Sequence, residues 1–201
     1  MRSTLALEVG DAESLARVGA EVAVAGFFRD QRPLRGGAGL ADWRLCGFVS
    51  RLLLAERATG ELGEAVLATT HGRLRADRLL LVGLGLRQRF NAEAHRTAVE
   101  RVLQRLLDLG ASSAAVDLPA PSADTHPEAL AESFVDGACA VLDARPARFL
   151  LRVVAAPGAA GRMRQALEQA AVARPRGATS LRMIRPPAAG VANGPPRVAA
   201  P

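Results

Sequence analysis

Residues 41–85, ADWRLCGFVSRLLLAERATGELGEAVLATTHGRLRADRLLLVGLG, read as helix, tight connection, strand, turn, strand and Gly-x-Gly exit without interruption. Leu45, Cys46, Val49, Leu52 and Leu53 recur at three- and four-residue spacing, placing one apolar stripe on a helix over about 42–55. Gly60 and Gly63 close the connection, and residues 65–70 and 78–82 follow as strands on either side of HGRLRAD. The second strand is a short apolar run suited to the middle of a sheet, and the chain then turns at Gly83 and Gly85.

The same alternation extends both ways. Upstream, residues 4–9 alternate as a first strand, followed by Gly10 and a short helical piece that Asp11 can cap. Residues 21–28 form a nearly continuous apolar strand that runs into the polar, Gly-rich loop 29–40. Downstream, Val99, Val102, Leu103 and Leu106 define a helix over 92–109 with Gly110 at its C-terminal cap. Residues 113–118 are a strand, and Thr125 is placed to cap a helix carrying Leu130, Phe134, Ala138, Cys139 and Leu142. A strand over 149–155 feeds PGAAG and a last helix through Met163 and Leu167. Strands alternating with amphipathic helices imply βαβ units, hence an α/β fold in three layers, with a mixed, mostly parallel sheet flanked by helices.

Composition limits the chemistry. All 26 basic residues of the 201 are arginine. Without lysine there is no Walker A loop and no Schiff-base amine, and arginine cannot replace that nucleophile. The net charge of +6 comes mainly from the end of the chain, since every acid lies at or before Glu168 while residues 174–201 hold five arginines. One domain over 1–173 and a basic Pro/Ala/Arg-rich tail over 174–201 are therefore expected, the tail disordered except for 181–184, which can add an edge strand. Arginine abundance with no lysine, no tyrosine and one isoleucine fits a GC-rich coding bias, so a nucleic-acid partner is not expected. No apolar run approaches the roughly 20 residues of a membrane span, and Cys46 and Cys139 fall on helical apolar stripes rather than in a disulfide pattern. The expected setting is cytoplasmic.

Residues 41–85 resemble the N-terminal, macrodomain-like domain of the M17 leucyl aminopeptidases, in which Asp-Trp-Arg-Leu, here 42–45, precedes a glycine, here Gly47. The resemblance extends over about 4–173 and implies that fold. It also implies no aminopeptidase activity in these residues, because in that family the metal ligands and catalytic side chains, a lysine among them, belong to a C-terminal domain. The family signature Asn-Thr-Asp-Ala-Glu-Gly-Arg does not occur here, and no catalytic residue, metal ligand or cofactor is expected. In full-length aminopeptidases this domain contributes to a hexamer, which implies an oligomer here, by self-association or with a separate protein partner.

Three Gly-rich strand exits remain as candidate sites: residues 32–44, 82–87 and 156–162. Such exits can direct backbone N–H groups and a helix N-terminus at a phosphate, so Gly36, Gly37, Gly39, Gly83 and Gly85, with Arg35 and Arg44, are the candidate contacts for a phosphate-containing small ligand. The first exit resembles the ligand loop of ADP-ribose-binding macrodomains, yet the strand before it ends Gly26-Phe27-Phe28-Arg29-Asp30 where those proteins carry Asn-Ala-Ala-Asn. Glycine at a tight turn also explains these exits without any ligand. Trp43 reads as a packing anchor, Asp42 as a cap, and His71, His95 and His126 as solvent-exposed.

Overall fold

The computed structural model describes residues 3–10, 14–17, 19–120, 126–156, 158–174 and 177–184. Seven strands, β1 (Ser3–Gly10), β2 (Val22–Phe27), β3 (Ala65–Thr69), β4 (Arg78–Gly83), β5 (Ser113–Asp117), β6 (Arg148–Val154) and β7 (Thr179–Ile184), form one sheet in the order β3-β4-β2-β5-β6-β1-β7. Only β3–β4 is antiparallel; every other pairing is parallel. Six helices surround it: α1 (Ser14–Arg17), α2 (Gly36–Arg44), α3 (Phe48–Leu54), α4 (Ala92–Asp108), α5 (Pro127–Ala144) and α6 (Ala160–Ala173). The expected α/β class and mostly parallel sheet are what the structure contains.

Alternation along the central strands explains the two cores. Val22 and Val24 of β2 enter the cluster under α4, α5 and α6, with Leu103, Leu106, Phe134, Leu142 and Leu167. Ala23, Ala25 and Phe27 enter the opposite cluster with Leu15, Ala38, Ala41 and Val49. Both faces being covered, all six residues of β2 are buried, which is why the strand reads as a continuous apolar run. Glu8 and Arg152, directly opposite across β1–β6, form an ion pair at 2.9 Å, and Arg152 Nη1 also donates to the Gly19 carbonyl.

The helix expected over 42–55 is two helices. Cys46 (φ 54°) and Gly47 (φ 76°) adopt left-handed backbone and turn the chain between α2 and α3. Asp42 is a cap, as expected, but of the following helix: its carboxylate accepts from the Ser50 amide at 2.9 Å and the Ser50 hydroxyl at 2.5 Å in the first turn of α3. The glycines expected to lie in a loop instead open α2, whose buried face consists of Gly37, Ala38 and Ala41. These small residues let the helix lie close to the sheet and put Trp43 on the opposite side. Trp43 is therefore 72% exposed and not a packing anchor, and Cys46 is exposed in the turn and not on an apolar stripe.

Asn91, which the sequence reading passed over, caps α4 by accepting from the Ala94 amide at 2.9 Å. The proposed caps Asp11 and Thr125 lie outside the described residues, as do 185–201 of the expected tail. Residues 179–184 extend the sheet past 173: β7 pairs with β1, and its Thr179 hydroxyl donates to Asp143 on α5 at 2.6 Å. Arg174 donates to the same carboxylate at 2.9 Å, and the Thr179 hydrogen bond, ahead of Arg174, holds the Asp143 carboxyl below its usual range.

Gly83 ends β4 where the 60–64 connection crosses it. A Cβ there would lie 2.1 Å from the Glu61 carbonyl oxygen, a backbone atom held by the Gly63 N–H to Gly83 O bond at 3.0 Å. Gly83→Ala is expected to lower the unfolding free energy by at least about 2 kcal/mol, measured by urea denaturation, because the clash requires movement of backbone rather than of a flexible side chain.

Candidate functional site

Strands β4, β2 and β5 run parallel and finish side by side at Gly83, Phe27 and Asp117, the edge of an open α/β sheet at which ligands are usually received. The N-terminus of α2 approaches this edge. Arg35 precedes it in extended conformation, its side chain making no capping bond. The Gly37 amide donates to Asp117 Oδ2, and the approach is so close that a Cβ at Gly37 would meet that oxygen at 2.6 Å and Leu15 at 2.5 Å. Gly36, at φ +58°, carries the left-handed turn that makes this entry possible.

Asp117 thus places a carboxylate against the positive end of α2, where a ligand phosphate would otherwise be received. It is buried, and desolvation pushes its pKa up to about 6, with the Gly37 hydrogen bond pulling the other way. At neutral pH an incoming phosphate would therefore meet a buried negative charge at Gly36 and Gly37. Sequence reasoning missed Asp117; the available signal was an acid closing the otherwise apolar strand SAAVD.

The remaining candidates are dispersed. A Cβ at Gly39 would lie 2.6 Å from the Leu34 carbonyl oxygen. Gly85 donates to the Gly60 carbonyl at 2.8 Å, so Gly83 and Gly85 serve the crossing of β4 by the 60–64 connection. Arg35 is exposed. Arg44 stacks over Trp43 at 5.1 Å, with its Nε buried and lacking a hydrogen-bond partner. Two shallow cavities flank the α2–α3 turn: one of about 470 Å³, lined by Arg32, Gly39, Trp43 and Ser50 among others, and one of about 610 Å³ between Phe48, Arg51 and β3. Of the seven candidate residues only Gly39 lines either. Among the described residues, no group of three or more His, Cys, Asp or Glu side chains could hold a metal ion, and no helix is long and apolar enough to cross a membrane.

His71 and His126 are exposed, as expected, but His95 is buried: it lies between α4 and α5, with its Nδ1 2.7 Å from the Ser133 hydroxyl and Phe90 and Phe134 beside it. Ser133 donates to the Leu130 carbonyl at 3.0 Å, so the imidazole nitrogen donates to Ser133. Desolvation lowers its pKa to about 4. Among the described residues no acid hydrogen-bonds this pair, and neither cavity reaches it, so it serves as a packing element. The Cys139 thiol, fully buried as expected, has its pKa raised to about 11 by desolvation. Cys46 accepts a hydrogen bond from Arg73 Nη1 at 2.8 Å.

A mostly parallel sheet between two helix layers, with its receiving edge at β4, β2 and β5, defines a macrodomain-like protein. A macrodomain mutant from Oceanobacillus iheyensis superposes with a TM-score of 0.62 at 12% identity, over 81% of this chain and 90% of its own. The Trypanosoma brucei macrodomain in complex with ADP-ribose gives 0.62 at 15% identity, over 82% and 68%, and a tomato leucine aminopeptidase mutant gives 0.61 at 15%, over 85% and 36%. At these identities the likeness establishes the fold. The cytosol aminopeptidase family N-terminal domain matches residues 22–145, and the chain belongs to that family. Probable cytosol aminopeptidases of Pseudomonas syringae pv. tomato and Geobacter sp. are 31% identical over 113 residues and 40% identical over 81. These alignments take in 54% and 40% of this chain but only 23% and 16% of the relatives' lengths.

His95 and Asp117 give opposite pH dependences. The folded pKa of His95 is depressed, so the unfolded chain takes up the proton first and stability falls as pH drops from 6.5 towards about 4. The folded pKa of Asp117 is raised, so its contribution grows as pH falls through about 6 and is complete below 3.8. Each spans roughly 3 kcal/mol, and they largely cancel between pH 4 and 6. Asp117→Asn keeps an oxygen for the Gly37 amide and removes the buried charge. It is expected to be more stable than wild type at pH 7.5, by about 1–3 kcal/mol, and to lose stability on acidification more steeply, as read from denaturation midpoints across pH 4–8.

Proposed function

We propose that these residues form a non-catalytic assembly or protein-interaction module related to the N-terminal domain of the cytosol aminopeptidases. The observation that carries this reading is the apolar side chains left outside both cores: Trp43 at 72% exposure on α2 and Leu54 at 85% at the end of α3, on one side of the sheet, and Leu67 at 47% on the edge strand β3. Large apolar side chains left in solvent on helices and on a free sheet edge are what docking surfaces require. The reading is also supported by a family match confined to an N-terminal domain and by the burial of the His95–Ser133 pair between α4 and α5, outside both cavities.

Binding of a nucleotide or ADP-ribose-like ligand is the second reading, favoured by the macrodomain-like sheet edge and opposed by the Asp117 carboxylate at the α2 N-terminus. The two separate by experiment. Light scattering of the full chain, and of a chain ending after Ile184 so that β7 is kept, is expected to give a mass above that of one copy or a complex with a separate aminopeptidase catalytic domain. Trp43→Ser with Leu54→Ser is expected to weaken an association that uses α2 and α3 about tenfold or more, and to leave one made only through β3 unchanged. ADP-ribose and nucleotides at pH 7.5 are expected to leave the melting temperature unchanged. A monomer that ignores the catalytic domain and is stabilised by one nucleotide would replace this reading with the ligand module. Leucine-amide hydrolysis with manganese or zinc, scaling with the protein after contaminating peptidases are removed, would end the non-catalytic reading.

A further inference from the structure

We infer that the partner in this assembly is a second copy of the chain, joined through β3 so that the two sheets become one across a two-fold axis at Leu67. The inference rests on the assembly reading above and starts from the hydrogen-bond register of the edge. β3 ends the sheet and has a neighbour only in β4. Outside the strand itself, Gly83 donates to the Glu64 carbonyl at 2.9 Å and Thr70 to the Asp77 carbonyl at 3.0 Å. Residues of an antiparallel strand alternate between the two sides, so Val66 and Ala68 also bond towards β4 while Ala65, Leu67 and Thr69 turn their N–H and C=O groups outward. Among the described residues these outward groups have no partner.

An edge of this kind is normally protected by lysine, proline, a bulge or an inward-pointing charge. AVLAT contains none of these and no charge at all. Antiparallel pairing centred on Leu67 sets Leu67 against Leu67 of the partner subunit and Ala65 against the partner's Thr69, so that every outward N–H meets a C=O. A shift of one residue would leave these groups unmatched.

The Leu67 side chain fits the same axis. Ala65 packs on the core beneath α4, whereas Leu67, two residues further on the same face, is 47% exposed. Across the seam the two Leu67 side chains would cover each other. The chain entering β3 carries Glu61 and Glu64, and the chain leaving it carries His71 and Arg73. Glu61 is held by Arg29, and Arg73 donates to the Arg44 carbonyl and Cys46 Sγ, so these charges are spent within each copy and the fit rests on Leu67 and the outward backbone groups.

Sedimentation equilibrium on the full chain, with Leu67 variants, tests the seam. Leu67→Lys places two ammonium groups on the axis and is expected to raise the dimer dissociation constant about tenfold or more, with far-UV circular dichroism and the urea midpoint of the monomer unchanged. In a Cys46→Ser background, Leu67→Cys is expected to give a disulfide-linked dimer under mild oxidation, since Cα atoms facing each other in a bonded antiparallel pair lie about 5.5 Å apart. Thr69→Cys in the same background faces alanine and is expected to remain uncrosslinked. An oligomer whose dissociation constant ignores Leu67→Lys and which Leu67→Cys does not link overturns the β3 seam and leaves the assembly reading standing. A chain that stays monomeric at all concentrations overturns the seam, and if it also ignores a separate catalytic domain the assembly reading falls with it.

Discussion

Two-sided burial of the sheet is the constraint on which the other features depend. Because α4, α5 and α6 cover one face and α1, α2 and α3 the other, β2 is buried throughout and β4 and β5 nearly so, and no polar side chain can enter the middle of the layer without a partner. The few polar groups that do enter are matched. Glu8 meets Arg152, Thr70 donates to the Ala76 carbonyl, Ser3 donates to the Leu142 carbonyl, and Asp117 meets the end of a helix. Freedom to interact is thereby pushed to the margins, to the ends of the strands and the outer edge of β3.

At the strand ends the N-terminus of α2 already faces a carboxylate. A helix beginning in glycines beside three strand termini has the geometry of an anion receptor, and the anion here is the chain's own. Gly37, which looks like part of a phosphate loop, is required by a carboxylate 80 residues away, because any side chain there would collide with it. Glycine-rich exits alone thus do not distinguish a receptor from a helix that has already been capped by another part of the protein.

The sequence was legible where periodicity and burial agree. Strands and helices around the parallel core follow from uninterrupted apolar runs and 3.6-residue stripes, and outside the α2–α3 segment the expected elements lie within a few residues of their expected bounds. It misled around α2, where the usual signal is inverted. Gly36, Gly37, Ala38 and Ala41 are poor markers of a helix face by hydrophobicity, yet they are the buried face because the helix must lie close, while Trp43, the most apolar-looking residue of the segment, points outward. His95 was hidden for a related reason: an isolated histidine on a helix with a polar face gives no sign that Ser133, 38 residues later, will receive its proton. The candidate site was the least legible part, since the glycines cluster in sequence and separate in space, and Asp117 carries no motif.

The first strand has a temporal consequence. β1 has only β6 and β7 as neighbours, and its Glu8–Arg152 contact spans 144 residues. As the chain leaves the ribosome, β2, β4 and β5 can begin to assemble around α4, but residues 3–10 have no strand to join until residues 148–154 have emerged. Closure of so long a loop makes the sheet's second half late-forming, and leaves residues 3–10, an apolar strand, waiting until residues 148–154 have been made. Chaperone engagement during translation would therefore fall on β1, the first strand of the sheet to be made and one that must wait for β6.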